Sequence, residues 1–289
     1  MLTRLHGMKA VFAFDNWPML LLGRVFDRKT GFVAYRKNNL DILVDHHGGD
    51  ECGTRMCIAS DMYRKYLPTF ALPGPARVLD LGANGGGFPL MLAIEGIELA
   101  KVVSVEMNPL TFRRLELNLI TNFGTSAVAI NAAVCAMPVG SEIQVRPSRG
   151  GTGDSMFRDR AGSGEAHVSI FTTTLQELYE KHFAPEPIDL CKIDIEGAEF
   201  ELFETAPEEV LKKIRYLVME IHQSPENVTT SVKVLREKLE ALGFVDITIP
   251  ERHSNGRNGN DSHEIRPEVK AFAGPLAKKP VVAQIASRN

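Results

Sequence analysis

The segment from residue 78 to residue 88 reads Val78-Leu79-Asp80-Leu81-Gly82-Ala83-Asn84-Gly85-Gly86-Gly87-Phe88. Its apolar first half predicts a buried strand, and the glycines that follow predict a tight turn into a helix. In an open α/β sheet such a turn lies at the carboxyl edge of the strand, where the backbone approaches a ligand closely. The segment therefore predicts a ligand-binding loop near the start of an α/β domain.

An acidic residue ends the next predicted strand. Glu106 lies 24 residues after Gly82, a spacing at which a carboxylate accepts hydrogen bonds from ribose hydroxyls. The glycine that admits a pyrophosphate in dinucleotide-binding loops is replaced by Asn84. Asp80 adds a carboxylate that would repel phosphates but would suit the ammonium group of an amino acid. S-adenosylmethionine (SAM) contains an adenosine and such an amino acid without phosphate, so we predict SAM as the ligand.

Three further motifs support a resemblance. The chain contains Val105-Glu106-x-Asn108-Pro109, Lys192-Ile193-Asp194-Ile195-Glu196-Gly197-Ala198-Glu199 and Met219-Glu220-Ile221-His222. Together with the glycine loop, these motifs resemble the FkbM-type methyltransferases over about residues 76 to 250. The resemblance implies transfer of a methyl group from SAM to a hydroxyl, often on a sugar, a polyketide or another natural product.

The resemblance also implies which residues contact the cofactor. The implied set combines the glycine-loop positions, the acidic strand end and the residues that end the third strand on the adenine side. With Asp80 for the ammonium group, the predicted cofactor residues are Asp80, Gly82, Asn84, Gly86, Phe88, Glu106, Asn131, Ala132 and Asp194.

Two pairs of polar residues follow predicted strands that we expect to be neighbours. The pairs are Asp194 with Glu196 and Glu220 with His222, and their side chains are expected to converge on one crevice. The predicted catalytic residues are His222, Asp194 and Glu196, with His222 as the base that takes the proton of the acceptor. An alternative is a divalent metal on Asp194, Glu220 and His222, although we assign no metal. Another is a domain that binds the cofactor without turnover.

The rest of the chain alternates predicted strands and helices. This pattern predicts an α/β fold with a doubly wound, mostly parallel sheet of the class I methyltransferase type. The last two strands, at 244–249 and 269–273, lack a helix between them and predict an antiparallel edge hairpin. We expect a small β-rich N-terminal extension at residues 1–50, with strands at 11–14 and 32–35, a methyltransferase domain at 51–274 and a tail at 275–289.

Five other expectations concern helices and loops. A helix is predicted from Glu51 to Leu67, a second begins at Asn108 with Pro109 in its first turn, and a third spans about Val228 to Leu242. Residues 147–165 and 251–268 are rich in glycine and polar residues and are predicted to be long loops, either lids over the site or disordered segments.

Composition limits the partners. The formal net charge is −3 without any run of basic residues, so we expect a small hydroxylated molecule as the acceptor and no nucleic acid. No apolar stretch approaches the roughly 20 residues that span a bilayer, and no secretory signal is recognisable, so we expect no membrane partner. The four cysteines form no CxxC pair, which favours reduced thiols and the cytoplasm.

Overall fold

The structure is a computed structural model that describes residues 10–26, 31–48, 50, 53–145, 167–222, 231–250 and 268–277. The predicted loop at 147–165 and most of the one at 251–268 lie outside these residues, as does the tail after residue 277. The lid predictions for these loops therefore remain sequence-based.

The described residues contain twelve strands and eight helices of the α type. The strands are β1 (Phe32–Lys37), β2 (Leu40–Asp45), β3 (Ala76–Leu81), β4 (Leu99–Glu106), β5 (Ala127–Asn131), β6 (Ala133–Val134), β7 (Glu142–Val145), β8 (Val168–Thr173), β9 (Ile188–Ile193), β10 (Ile214–Ile221), β11 (Val245–Asp246) and β12 (Glu268–Ala273). The helices are α1 (Trp17–Phe26), α2 (Thr54–Ala59), α3 (Gly87–Ile94), α4 (Pro109–Phe123), α5 (Leu175–His182), α6 (Glu199–Thr205), α7 (Glu208–Leu211) and α8 (Val232–Ala241).

Seven strands form the central sheet in the order β11-β12-β10-β9-β3-β4-β5. The five strands from β10 to β5 are parallel, and β12 pairs antiparallel with both β10 and β11. The predicted mostly parallel sheet with an antiparallel edge is confirmed. The chain leaves β3 toward β4 on one side and later returns as β9 on the other, so the strand order reverses between β3 and β9. Ligands bind at such a switch point in open α/β sheets.

Residues of the central strands alternate between two apolar clusters, one on each face of the sheet. Leu79, Ile193 and Leu217 belong to the cluster that contains residues of α5 to α8. Val78 and Leu190 belong to the cluster that contains residues of α2, α3 and the N-terminal hairpin. Because both faces are covered, the strands read as continuous apolar runs in the sequence.

The N-terminal region differs in part from its prediction. The hairpin of β1 and β2 confirms the strand predicted at Phe32, but the predicted strand at 11–14 is a turn. Its Phe14 donates its N–H to the carbonyl of Val11 at 3.1 Å, and both side chains are buried while Phe12 is 54% exposed. Burial three residues apart fits a helical turn rather than the alternation of a strand. Helix α1, which follows, was not predicted.

Other helices and strands are shorter than predicted because local polar contacts end them. The helix predicted from residue 51 divides into α2 and a 3-10 helix at Arg64–Thr69. Helix α8 begins at Val232, because the Ser231 hydroxyl accepts the N–H of Val234 and caps it. The strand predicted at 244–249 contains only Val245–Asp246. The helix predicted after Asn108 is confirmed as α4, capped by the Asn108 side chain.

A second, three-stranded sheet has the order β6-β8-β7 and was not predicted.

Within the described ranges, no helix combines the length and the apolar character needed to cross a bilayer.

Candidate active site

The loop after β3 has the backbone shape that its glycines predict. Gly82 has a φ of +73° and donates its N–H to the carbonyl of Val105 at 3.0 Å. A β-carbon on Gly82 would lie 1.7 Å from the carbonyl oxygen of Asp194, so no side chain fits there. Gly86, with a φ of +87°, is the N-cap of α3. The loop is thus in backbone contact with the end of β9 at the switch point of the sheet.

Glu106, the last residue of β4, holds this loop with both carboxylate oxygens. Oε2 accepts the backbone N–H of Asn84 at 2.9 Å, and Oε1 accepts that of Asn108 at 2.7 Å. Each carboxylate oxygen has a second lone pair, so these bonds are compatible with a further bond to a ribose hydroxyl. Asn131, at the end of β5, donates Nδ2 to the carbonyls of Glu106 and Met107. The predicted ribose and adenine residues therefore lie at adjacent strand ends.

Three side chains of the predicted cofactor set point into the protein. The Oδ1 of Asn84 accepts the hydroxyl of Thr54, at the start of α2, at 3.0 Å. The ring of Phe88 is 2% exposed and packs edge-on against Tyr63, with the centroids 5.3 Å apart. Ala132 is buried in the core. These side chains have packing or hydrogen-bonding partners inside the protein, and Oδ1 of Asn84 also accepts the N–H of Gly85 within the loop at 2.8 Å. Their contact with the cofactor stays a prediction.

Asp80 has a cationic partner inside the protein, Lys192, and its contact with the ammonium group of the ligand stays a prediction. The Nζ of Lys192 lies 3.4 Å from Oδ1 of Asp80 and 3.2 Å from Oδ2 of Asp194, and it donates to the carbonyl of Gly82 at 2.7 Å. Burial raises the pKa of Asp80, and Lys192 partly offsets this. Burial alone would lower the pKa of Lys192, but Asp194 and Asp80 raise it above its ordinary value. A buried carboxylate needs such a counter-charge.

The predicted catalytic residues do come together at the ends of β9 and β10. The Nε2 of His222 lies 3.7 Å from Oδ1 of Asp194 and 3.5 Å from Oε2 of Glu196. Glu196 has a φ of +54°, a backbone conformation that is uncommon for a residue with a side chain. Asp194, Glu196 and His222 are all partly exposed. The arrangement places two carboxylates and one imidazole where a ligand can reach them.

Glu199 orients this cluster and was not assigned a role from the sequence. Its carboxylate is fully buried, and Oε1 lies 2.9 Å from Nδ1 of His222. The same oxygen accepts the N–H of Ile195 at 3.0 Å, while Oε2 accepts the N–H of Gly197 at 2.8 Å. Glu199 therefore holds both the imidazole and the turn that carries Glu196.

The pKa of His222 is raised to about 9. Burial alone would lower it, but the hydrogen bond with Glu199 and the charges of Glu199, Glu196 and Asp194 more than compensate. The imidazole therefore carries a proton at neutral pH and would have to release it before acting as a base, so the predicted role of His222 stays a prediction. In this state of the site, His222 is the positive partner of three carboxylates.

Glu220, at the end of β10, belongs to the same group. Its Oε1 accepts the hydroxyl of Tyr63, and burial followed by the charge of Asp194 raises its pKa. Burial likewise raises the pKa of Tyr63 well above its ordinary value, so the phenol keeps its proton. Asp194, Glu220 and His222 each offer one ligand atom within 4.8 Å of the others. The three residues of the metal alternative are thus adjacent in space.

Sequence reasoning overlooked Lys192, Glu199 and Tyr63. Lys192 and Glu199 lie inside the quoted Lys-Ile-Asp-Ile-Glu-Gly-Ala-Glu block, where a lysine within a buried strand is a usable signal for a buried ion pair. Tyr63 gives no such signal, because it lies 157 residues before Glu220.

Known proteins similar to this chain include two curated relatives. The methyltransferase sdnD of Sordaria araneosa is 26% identical over 203 residues, which are 61% of this chain and 76% of sdnD. The AMB antimetabolite synthetase AmbE of Pseudomonas aeruginosa is 25% identical over 240 residues, which are 72% of this chain but only 11% of AmbE. The chain therefore spans about a tenth of AmbE.

Among solved structures, methyltransferase FkbM from Methylobacillus flagellatus has 13% identity and a TM-score of 0.42, covering 71% of this chain and 47% of the other. The structure of SMU.776 in complex with SAH has 8% identity and a TM-score of 0.43, with coverage of 86% and 57%. Sequence comparison with family profiles is more specific: the Methyltransferase FkbM domain matches residues 80–245, more than half of the chain. The match contains the glycine loop, Glu106 and the strand-end cluster, and the chain belongs to the FkbM family of SAM-dependent methyltransferases.

Proposed function

We propose that the protein is an O-methyltransferase that transfers the methyl group of SAM to a hydroxyl of a small molecule, such as a sugar, a polyketide or another natural product. The observation that carries this proposal is the proximity of Asp194, Glu196 and His222 to the Gly82 loop. Lys192 links the two, because its Nζ contacts both the carbonyl of Gly82 and the carboxylate of Asp194.

The cofactor part of the site consists of the loop from Gly82 to Gly86, with Glu106 for the ribose and Asn131 on the adenine side. Asp194 lies where this loop meets the end of β9, so its carboxylate serves the methyl-bearing end of SAM. A carboxylate next to a sulfonium stabilises the bound cofactor, although this does not by itself favour the transition state.

In the reaction, the hydroxyl oxygen of the acceptor attacks the methyl carbon as the bond from carbon to sulfur breaks. The products are a methyl ether, S-adenosylhomocysteine (SAH) and a proton. Asp194 and Glu196 are the carboxylates that receive this proton. A base in position contributes about 10²- to 10⁴-fold to such a step.

Two observations support a small molecule as the acceptor. The net charge of −3 without basic runs gives no surface for a phosphate backbone. AmbE is named as an antimetabolite synthetase, which is an enzyme of small-molecule synthesis.

The cysteines at positions 57, 135 and 191 are free thiols, and this supports the cytoplasm as the proposed location.

The test is incubation with methyl-labelled SAM and a panel of small molecules that carry hydroxyl, amine or thiol groups. We expect label in a methyl ether, a rate about 10²- to 10⁴-fold lower for Glu196→Gln, and an unchanged rate for the control Glu204→Gln on the exposed side of α6. Label on nitrogen or sulfur alone would contradict O-methylation. Binding of SAH without transfer to any acceptor would support the non-catalytic alternative instead.

A further inference from the structure

We propose that Asp194, Glu220 and His222 bind a divalent cation that holds the acceptor hydroxyl. The role of this cation in catalysis rests on the proposed O-methyl transfer. The three residues lie at the carboxyl ends of β9 and β10, next to the Gly82 loop. Two carboxylates and an imidazole form a ligand set suited to Mg²⁺, Mn²⁺ or a similar cation.

The distances fit one shared ion. The ligand atoms of the three residues all lie within 4.8 Å of one another, and Nε2 of His222 is 3.7 Å from Oδ1 of Asp194. Two ligands that each lie about 2.1 Å from one cation are about 3.0 Å apart when adjacent and about 4.2 Å apart when opposite. The observed separation of Nε2 and Oδ1 falls between these values, and an ion shared by all three residues would draw together any pair of ligand atoms that lies farther apart than about 4.2 Å.

A second observation is that each ligand is held through its other polar atom. Lys192 contacts Oδ2 of Asp194, and the Tyr63 hydroxyl donates to Oε1 of Glu220. The corresponding partner of His222 is the buried Glu199, at Nδ1. Oriented in this way, Oδ1 of Asp194 and Nε2 of His222 lie 3.7 Å apart, and Glu220 offers one carboxylate oxygen to the same group. Metal-binding histidines and carboxylates are characteristically fixed by such outer hydrogen bonds.

The charge of the site also favours a cation. Electrostatic contacts join five carboxylates, those of Asp80, Asp194, Glu196, Glu199 and Glu220, to Lys192 and His222. Both oxygens of Asp80 are buried without a hydrogen bond from any described residue. Negative charge thus exceeds the positive charge of Lys192, and binding of the cation to Nε2 releases the proton that His222 otherwise carries. A bound divalent cation reduces this excess at the point where the carboxylates converge.

A cation at this position would lower the pKa of a hydroxyl that it binds. The hydroxyl proton then passes to Glu196, which is not one of the three ligands and lies 3.5 Å from Nε2 of His222. The oxygen forms a bond to the methyl carbon while the bond from that carbon to sulfur breaks, and SAH leaves with the electron pair. No oxidation or reduction takes place.

The experiment uses Mn²⁺ as the probe on the full chain after dialysis against a chelator. Loss of the electron paramagnetic resonance signal of free Mn²⁺ measures binding, and electron spin echo modulation detects an imidazole nitrogen on the bound ion. We expect one ion per chain with a nitrogen ligand. Asp194→Asn and Glu220→Gln are each expected to weaken binding more than about 100-fold, since even outer-shell changes cost about 10- to 100-fold. The control Glu204→Gln is expected to bind like the wild type.

Absence of Mn²⁺ binding to the wild type, or binding without nitrogen modulation, would overturn the site whether or not the variants fold. Equal affinity in Asp194→Asn would overturn it as well. The methyl-transfer assay is read separately. Methylation of a hydroxyl that persists in chelator, with no bound Mn²⁺, overturns the cation and leaves the proposed function intact. Specific Mn²⁺ binding without methylation of any hydroxyl supports the site and contradicts the proposed function.

Discussion

A β-carbon on Gly82 would lie 1.7 Å from the backbone carbonyl oxygen of Asp194. This relationship joins the cofactor loop to the catalytic cluster through two backbones, and neither can move without displacing a strand of the sheet. Gly82 is therefore required both for its φ of +73° and for the absence of a side chain.

Gly82→Ala is expected to reduce the free energy of unfolding by about 2–5 kcal/mol, the combined cost of an overpacked contact and a left-handed alanine. It is also expected to weaken SAH binding, because relief of the contact moves the loop. Urea unfolding and calorimetry measure the two effects. The control is Gly23→Ala in α1, where a β-carbon meets no atom within 4 Å and the gain in helix propensity is at most ~1 kcal/mol. Equal stability of the two variants would contradict the prediction.

Glu106→Gln tests the carboxylate that joins the loop to the start of α4. Glutamine keeps the shape but has one accepting oxygen, so it cannot accept the N–H groups of both Asn84 and Asn108. We expect SAH to bind about 1–3 kcal/mol more weakly, the cost of losing hydrogen bonds to a charged group. Calorimetric titration with SAH measures the change. Glu116→Gln, on the exposed side of α4, is the control, and a loss of the same size there would argue against a specific role for Glu106.

The backbone of the predicted cofactor loop and the start of α4 could be predicted from sequence because their signals are local. The apolar run before Gly82 and the Asn108-Pro109 start of α4 each depend on contacts between residues close in the chain. Asn108 shows this directly, since its Oδ1 accepts the N–H of Leu110 at 2.9 Å.

The support of the catalytic cluster could not be predicted in the same way. Tyr63 reaches Glu220 across 157 residues, and only the packing of the 3-10 helix on the sheet brings them together. Lys192 lies in a buried, mostly apolar strand, and its ion pair with Asp80 joins residues 112 positions apart in the chain. Helix α1 was not predicted. In each case, tertiary contacts decided the role of the residue.

Asp189, at the opposite end of β9 from the site, tests the scaffold separately. Its buried carboxylate accepts the backbone N–H of Arg77 at 2.9 Å and lies 2.9 Å from Nε of Arg215. Removal of one partner of a buried ion pair costs about 3–5 kcal/mol. Both arginine side chains are partly exposed, so we expect Asp189→Asn to lower the free energy of unfolding by about 2–4 kcal/mol. Urea unfolding measures this loss, and SAH affinity of the folded variant is expected to stay within twofold of the wild type, or about 0.4 kcal/mol.

The control for Asp189 is Glu186→Gln, which removes the exposed partner of Arg77. An exposed pair of this kind contributes less than about 1 kcal/mol. A loss of SAH affinity in Asp189→Asn at full stability would show that this end of the sheet influences the site, contrary to the prediction.

Glu199→Gln tests whether this buried carboxylate positions the catalytic cluster. Glu199 accepts the N–H groups of Ile195 and Gly197 and holds Nδ1 of His222. A glutamine has only one accepting oxygen, so either the turn or the imidazole loses its partner. We expect kcat for the acceptor found in the labelling assay to fall about 10- to 100-fold, the usual effect of removing an outer partner. SAH affinity is expected to change less than twofold, because the Gly82 loop and Glu106 do not contact Glu199.

The melting temperature and SAH binding, measured beside kcat, separate a positioning role of Glu199 from general destabilisation. A merely structural defect would lower the melting temperature and impair SAH binding in parallel with kcat, whereas a positioning role lowers kcat and Mn²⁺ affinity while SAH binding persists. Glu204→Gln, at an exposed position five residues further along α6, is expected to leave the melting temperature, SAH binding, kcat and Mn²⁺ affinity unchanged. Unaltered kcat in Glu199→Gln would show that the orientation of His222 does not depend on this carboxylate, and the assignment of Glu199 as a positioning residue would fail.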